Sequence, residues 1–143
     1  MKSLFYFDVR GYELDSLGHV NNSIYANYYE HARWKSFNEC NIINYLVEHH
    51  LHIIVTEAKI RYLAELKVFD KAVVESIFKI EGNFIVANQS IFLCKNQKRI
   101  SKSKIKHLIV DTDRIVYDIP PFIRETFNDQ EIQKPDHNSL ELV

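Results

Sequence analysis

One long helical stripe near the start of the chain, followed only by strand-like runs, limits the folds open to this sequence. From Ile24 onward, Tyr25, Tyr28, Tyr29, Ala32, Phe37 and Cys40 recur at steps of three and four residues, with one longer step. That spacing predicts a long amphipathic helix with a wide buried face. Asn21, Asn22 or Ser23 can cap its start, because each short polar side chain can accept a bond from an unpaired first-turn N–H. A shorter helical pattern of Ile42, Ile43, Leu46 and Val47 follows directly. The character then changes. Ile53 to Leu66, Ala72 to Glu81, Phe84 to Cys94 and Arg99 to Val110 read as strands, with turn signals at Gly82-Asn83 and Asn96-Gln97. Leu4 to Leu14 reads as a further strand ahead of the helix, and Pro120-Pro121 introduces a short helix over Phe122 to Phe127.

A helix must bury its apolar stripe, and an antiparallel sheet must bury one face. One sheet wrapped around one long central helix satisfies both, which makes the expected fold class α+β. With 143 residues, 46% of them hydrophobic, the chain suits one domain over 1–128, and the polar stretch 129–143 is expected to be a flexible tail. The sheet would keep an open edge, so pairing with further copies as a homodimer or homotetramer is expected. The formal net charge of −1 gives no bias towards nucleic acid. No apolar run approaches the ~20 residues needed to span a bilayer, so no membrane partner is expected. Cys40 and Cys94 make no disulfide framework, and no signal sequence is visible; the expected location is the cytoplasm.

The chemistry-bearing stretch is Tyr12 to Arg33. It contains Tyr-x-x-Asp-x-x-Gly-His-Val-Asn-Asn-x-x-Tyr, running from Tyr12 to Tyr25. A carboxylate, an imidazole and free helix N–H groups thus fall within one short segment, a combination suited to carbonyl chemistry. Together with the element order, this motif resembles the hotdog-fold acyl thioesterases, in particular the 4-hydroxybenzoyl-CoA thioesterase-like group and its acyl-ACP thioesterase relatives. The resemblance implies a hotdog fold over roughly residues 4 to 121, with Asp15 where many of these enzymes keep their catalytic aspartate. His19, Asn21 and Asn22 match the His-Val-Asn-Asn form of the acyl-ACP enzymes. Tyr62-Leu-Ala-Glu65 resembles a strand motif whose Glu joins the active site. Two departures stand out. Leu17 replaces a common Asn, and Lys102, Lys104 and Lys106 occupy a region often small and apolar in the family.

Each candidate also has a plainer reading. Asp15 can be a turn former before Gly18; beside His19 and the helix start it reads as a base towards water or a nucleophile on the thioester carbon. His19 either holds the turn or orients Asp15 and water. The N–H groups near Asn22 and Ser23 would stabilise an oxyanion on the thioester oxygen. Tyr25 and Tyr29 fit a core stripe, and are also candidates to line an acyl channel. Glu65 is the candidate second carboxylate. Glu30 and Arg33, three residues apart, suit a helix surface pair. Lys102, Lys104 and Lys106 share one strand face, which either solubilises the sheet or, with Lys59 and Arg61, docks coenzyme A phosphates or an acidic carrier protein. His49-His50-x-His52 lacks Cys and well-spaced acids, so no metal is expected, and no other cofactor is needed. Cys40 and Cys94 read as small buried hydrophobes. The expected activity is hydrolysis of an acyl-CoA or acyl-carrier-protein thioester. The alternatives are a non-catalytic acyl-thioester-binding or assembly subunit and, ranked lower, a hotdog dehydratase.

Overall fold

The computed structural model describes residues 1–128. Its elements are β1 (Lys2–Asp8), a 3-10 turn (Gly11–Glu13), α1 (Asn22–Glu39), α2 (Ile42–Glu48), β2 (Leu51–Tyr62), β3 (Lys71–Glu81), β4 (Phe84–Leu93), β5 (Arg99–Asp111), β6 (Val116–Tyr117) and α3 (Pro121–Asn128). The strands form one antiparallel sheet in the order β1-β3-β4-β5-β2, and β6 pairs with β5 beyond the end of β4. β1 and β2 are its edges. Among the described residues no helix is long and apolar enough to cross a membrane. The expected tail, 129–143, lies outside the described residues.

α1 lies across one face of this sheet. Of the three candidate caps, Asn21 takes the position: its backbone is extended and its side chain accepts the Ser23 N–H at 3.0 Å. Tyr25, Tyr28, Tyr29, Ala32, Arg33, Ser36 and Phe37 are buried, the face that the aromatic spacing predicted. Beneath α1 the core falls into two apolar halves. One gathers Phe7, Val20, Tyr25, Tyr28, Tyr29, Val74 and Ile91 around the start of α1. The other gathers Phe37, Ile42, Phe78, Ile85, Ile105, Ile123 and Phe127 around its end.

A polar row separates the halves. Ser3 pairs in register with Ser76, Ser76 with Gln89, and Gln89 with Ser103, so a buried polar residue from each of four adjacent strands lies at one level. α1 answers with its own polar groups. Arg33 Nη1–H donates to Gln89 Oε1 at 3.0 Å, Gln89 Nε2–H donates to the Tyr29 carbonyl at 3.1 Å and to Ser76 Oγ at 2.9 Å, and Ser36 meets Ser3. Burial lowers the Arg33 guanidinium to about 10. The expected Glu30–Arg33 surface pair does not form: Arg33 points into the core, and Glu30 accepts from Trp34 Nε1–H at 3.4 Å.

Two strand expectations overrun. β1 ends at Asp8 rather than Leu14, because Arg10 N–H donates to Glu13 Oε1 at 2.8 Å and coils the chain into the 3-10 turn. β2 ends at Tyr62 rather than Leu66. The N–H groups of Leu63 and Ala64 both turn to the Ile100 carbonyl, at 2.9 and 3.0 Å, which ends the ladder. The two-residue β6 was not expected; it is too short for a periodic signal.

Candidate active site

The segment Leu14 to Val20 closes on itself before α1 begins. Leu14 and Val20 form an isolated antiparallel bridge, and Asp15 N–H donates to the His19 carbonyl at 2.7 Å. The turn between them needs Gly18, whose φ of +80° lies in the left-handed region. Asp15 Oδ1 accepts the N–H groups of Leu17 at 2.8 Å and His19 at 3.1 Å, so the carboxylate is anchored through one oxygen. Its Oδ2 has no hydrogen-bond donor among the described residues. One oxygen of Asp15 thus builds the turn, as the plainer reading expects, and the other is left without a donor among the described residues.

A second segment arrives from the far end of β2. After the chain leaves the ladder at Leu63, the Leu66 carbonyl accepts Val20 N–H at 2.9 Å, and His19 bridges to Lys67. This carries Glu65 to His19, with Glu65 Oε2 3.1 Å from His19 Nε2. Tyr62 closes the same side. Its hydroxyl donates to the Asn22 carbonyl at 3.3 Å, and its ring meets Tyr25 edge-on at 5.3 Å. Below the turn, Glu13 is buried although it carries a carboxylate. It accepts from Arg10 N–H and from the Tyr28 hydroxyl at 2.8 Å, and its carbonyl accepts Asn21 N–H at 2.9 Å. Burial, then the Glu13 carboxylate, pushes the Tyr28 phenol above its usual range, so it stays a donor.

These segments enclose a cleft of about 550 Å³. Asp15, His19, Asn22, Tyr25 and Glu65 all line it, with Tyr62 and Lys98 alongside. The Asn22 N–H is one of the donors that helix geometry leaves unpaired, and it has no acceptor among the described residues. It stands at the positive end of the α1 dipole. The cleft thus brings together a carboxylate oxygen, an imidazole braced by a second carboxylate, and an N–H donor suited to an oxyanion.

The other sequence candidates go elsewhere. Tyr29 is fully buried and donates to Ser101 Oγ at 2.7 Å, so it belongs to the core and lines no channel. Asn21 uses its side chain as the cap and does not line the cleft. Arg61, Lys102 and Lys104 line a separate cleft on the outer face of the sheet. His49 stacks on Tyr45 and bonds the Tyr45 carbonyl. Burial raises the Cys94 thiol to about 11, which suits a packed side chain rather than a nucleophile. Sequence reasoning missed Lys98 as a cleft residue and Glu13 as a buried support. Lys98 was hidden in a run of cations, and Glu13 carried no signal, since burial of a single Glu has none.

The family model for the thioesterase-like superfamily matches residues 9–127. The chain belongs to this superfamily. Two chloroplastic acyl-acyl carrier protein thioesterases of Arabidopsis thaliana are each 32% identical to it over 123 residues, covering 83% of this chain and 64% of theirs. The chain therefore spans less than two thirds of the length of those relatives. A long-chain acyl-CoA thioesterase of Escherichia coli, FadM, is 26% identical over 104 residues, covering 72% of this chain and 79% of its own. Among solved structures, a 1,4-dihydroxy-2-naphthoyl-CoA thioesterase from Synechocystis superposes with a TM-score of 0.82 at 12% identity, covering 90% of this chain and 97% of that one. A thioesterase from Thermus thermophilus complexed with coenzyme A and Zn gives 0.74 at 25% identity, covering 87% and 91%. The hotdog fold expected from the sequence is the fold observed.

Proposed function

We propose that this chain hydrolyses acyl thioesters carried by coenzyme A or by acyl carrier protein, giving the free acid and the thiol. The observation that carries this is the convergence of Asp15, His19, Glu65 and the Asn22 N–H on one cleft, from two segments far apart in sequence. Asp15 Oδ2 either takes a proton from water or attacks the thioester carbon itself. The charge that then develops on the thioester oxygen is met by the N–H donors at the start of α1. His19, held by Glu65, orients water against Asp15, and the thiolate departs as the carbonyl re-forms; where Asp15 is the nucleophile, that water then cleaves the resulting anhydride, releasing the acid and restoring the Asp15 carboxylate. Release of free thiol from a panel of acyl-CoA and acyl-carrier-protein thioesters tests the reading. Tight binding of these substrates with no thiol released would favour a non-catalytic acyl-binding subunit instead.

The working form of the protein is, in this reading, a pair or higher assembly of copies. β2 runs for twelve residues along an open sheet edge and leaves Val55 and Tyr62 exposed. An unpaired strand of that length is a template for a second copy. Sedimentation at micromolar concentration should find a dimer or tetramer; a stable and active monomer would exclude it. The unpaired thiols of Cys40 and Cys94 fit the reducing compartment expected from the sequence.

A further inference from the structure

The outer face of the sheet, opposite α1, carries a second cleft of about 460 Å³. Five cations line it: Lys59 and Arg61 from β2, and Arg99, Lys102 and Lys104 from β5. Glu75 is the one acid in the lining, and Lys2 pairs with it at 3.5 Å. The ladder sets these cations directly against one another. Lys59 is the register partner of Lys104, and Arg61 is the register partner of Lys102. Like charges directly opposite across a ladder destabilise it, while opposite charges there would stabilise it. Among the described residues none of the five forms an ion pair, although Glu57 pairs with neighbouring Lys106 at 4.0 Å. A face needed only for solubility gains nothing from this arrangement, because alternating signs would solubilise it as well and hold the strands together.

From this cross-strand block of cations we infer that the outer cleft is a docking surface for the acidic face of a carrier protein that bears the acyl thioester. The inference rests on the thioesterase reading and names its substrate. Successive cations along a strand stand about 6.6 Å apart and adjacent strands about 4.8 Å, so the block extends over two dimensions. That suits several carboxylates on a protein surface better than one phosphate. The cleft also has no aromatic side chain in its lining for a nucleotide base to stack on; Ile77 is its apolar contribution. Its position fits delivery of a tethered thioester. Arg61 lines the outer cleft and the next residue, Tyr62, lines the catalytic one; Lys98 and Arg99 divide in the same way. Neighbouring strand residues face opposite sides of a sheet, so only the end of β2 and the start of β5 separate dock from chemistry.

The test uses full-length protein and a purified holo-acyl carrier protein as probe, with binding measured by titration calorimetry. The double variant Lys102→Glu/Lys104→Glu should bind the carrier at least about tenfold more weakly and raise KM for the carrier-bound substrate, while kcat holds. Its thermal midpoint should hold or rise, since each new carboxylate faces Arg61 or Lys59. Lys102→Arg/Lys104→Arg should keep carrier binding. In the wild type, raising salt from 0.1 to 1 M shortens the Debye length from about 10 to about 3 Å and should weaken carrier binding, but not KM for a small thioester without a carrier. Undiminished carrier binding by the charge-reversed protein would overturn the proposal. So would displacement of the carrier by free coenzyme A at similar concentration, which would make the cleft a nucleotide site. Carrier binding without hydrolysis of any thioester would leave the dock standing and remove the thioesterase reading. Hydrolysis of small thioesters without carrier binding would do the reverse.

Discussion

The two halves of the core, set on either side of the polar row, share one helix and one sheet but are built differently. At the end of α1, Phe37, Phe78 and Phe127 meet ring against ring with centroids 5.2 to 5.9 Å apart, and α2 and α3 close over them. At the start of α1 the chain leaves regular helices and strands twice, over 14–21 and over 63–70; Asp15, His19 and Glu65 lie on those departures, and Asn22 and Tyr62 at the element ends beside them. Regular elements satisfy their own backbone groups. Only where a ladder or helix stops are N–H groups and short polar side chains left to face a substrate. In the proposed function, one half therefore serves mainly stability and the other holds the groups that would do the chemistry.

The sharpest way to break this division is Asp15→Asn. The amide keeps an oxygen for the Leu17 and His19 N–H groups, so the turn survives, but the basic oxygen is lost. Thioester turnover should fall by ~10²–10⁴ with little change in thermal midpoint. Activity within threefold of wild type, with the midpoint unmoved, would remove Asp15 from the chemistry. Phe78→Ala is the mirror experiment. Phe78 is buried among Phe37 and Phe127, and its removal should cost about 3–5 kcal/mol in denaturant unfolding while kcat of the remaining folded protein holds. A large fall in kcat would mean that the halves are coupled through the polar row.

A smaller effect sharpens the same contrast by pH. His107 is buried beside Phe37, with Nδ1–H donating to the Ile85 carbonyl at 2.9 Å. Desolvation lowers it from 6.5 to about 4. Below pH 6.5 the unfolded chain takes up this proton and the folded chain does not, so stability falls as pH drops from about 6.5 to about 4. The whole window is worth about 3 kcal/mol. His107→Leu should flatten that part of the stability profile, measured by unfolding at a series of pH values. An unchanged slope would place the acid sensitivity elsewhere.

Much of this was legible in the sequence, for identifiable reasons. α1, β3, β4 and β5 fell within two residues of their expected ends, because their alternation or helical spacing is fixed by burial on one face. Asp15, His19 and Asn22 were legible because one short segment carries them all. Pairing was not legible. The sequence offered Glu65 as a second carboxylate but could not set it against His19, since that contact depends on how the chain leaves β2. Tyr25 and Tyr29 sit at equivalent helical spacing, yet one lines the cleft and the other is sealed beneath the sheet. Arg33 looked like a surface residue because Glu30 offered a partner three positions away, and only the position of Gln89 reveals where the guanidinium goes.

The polar row also works as a vernier for assembling the sheet. Side chains alternate with a period of two, so an error of one residue between strands turns every core side chain outward and is rejected at once. An error of two keeps the alternation and would pass unnoticed in a uniformly apolar core, where one Val or Ile substitutes for the next. Here it would not pass. Gln89, sliding two places along β3, would leave Ser76 and face Val74 or Phe78. Its Nε2–H would lose Ser76 Oγ as an acceptor, and Ser76 would face Ala87 or Ile91 inside the protein, at about 1–3 kcal/mol for each stranded group. Ser3 would leave Ser76 and the level of Ser36 in the same movement. The marks on β1, β3 and β4 coincide only in the native alignment, while β5 carries two of them, Ser101 and Ser103, two residues apart on the same buried face.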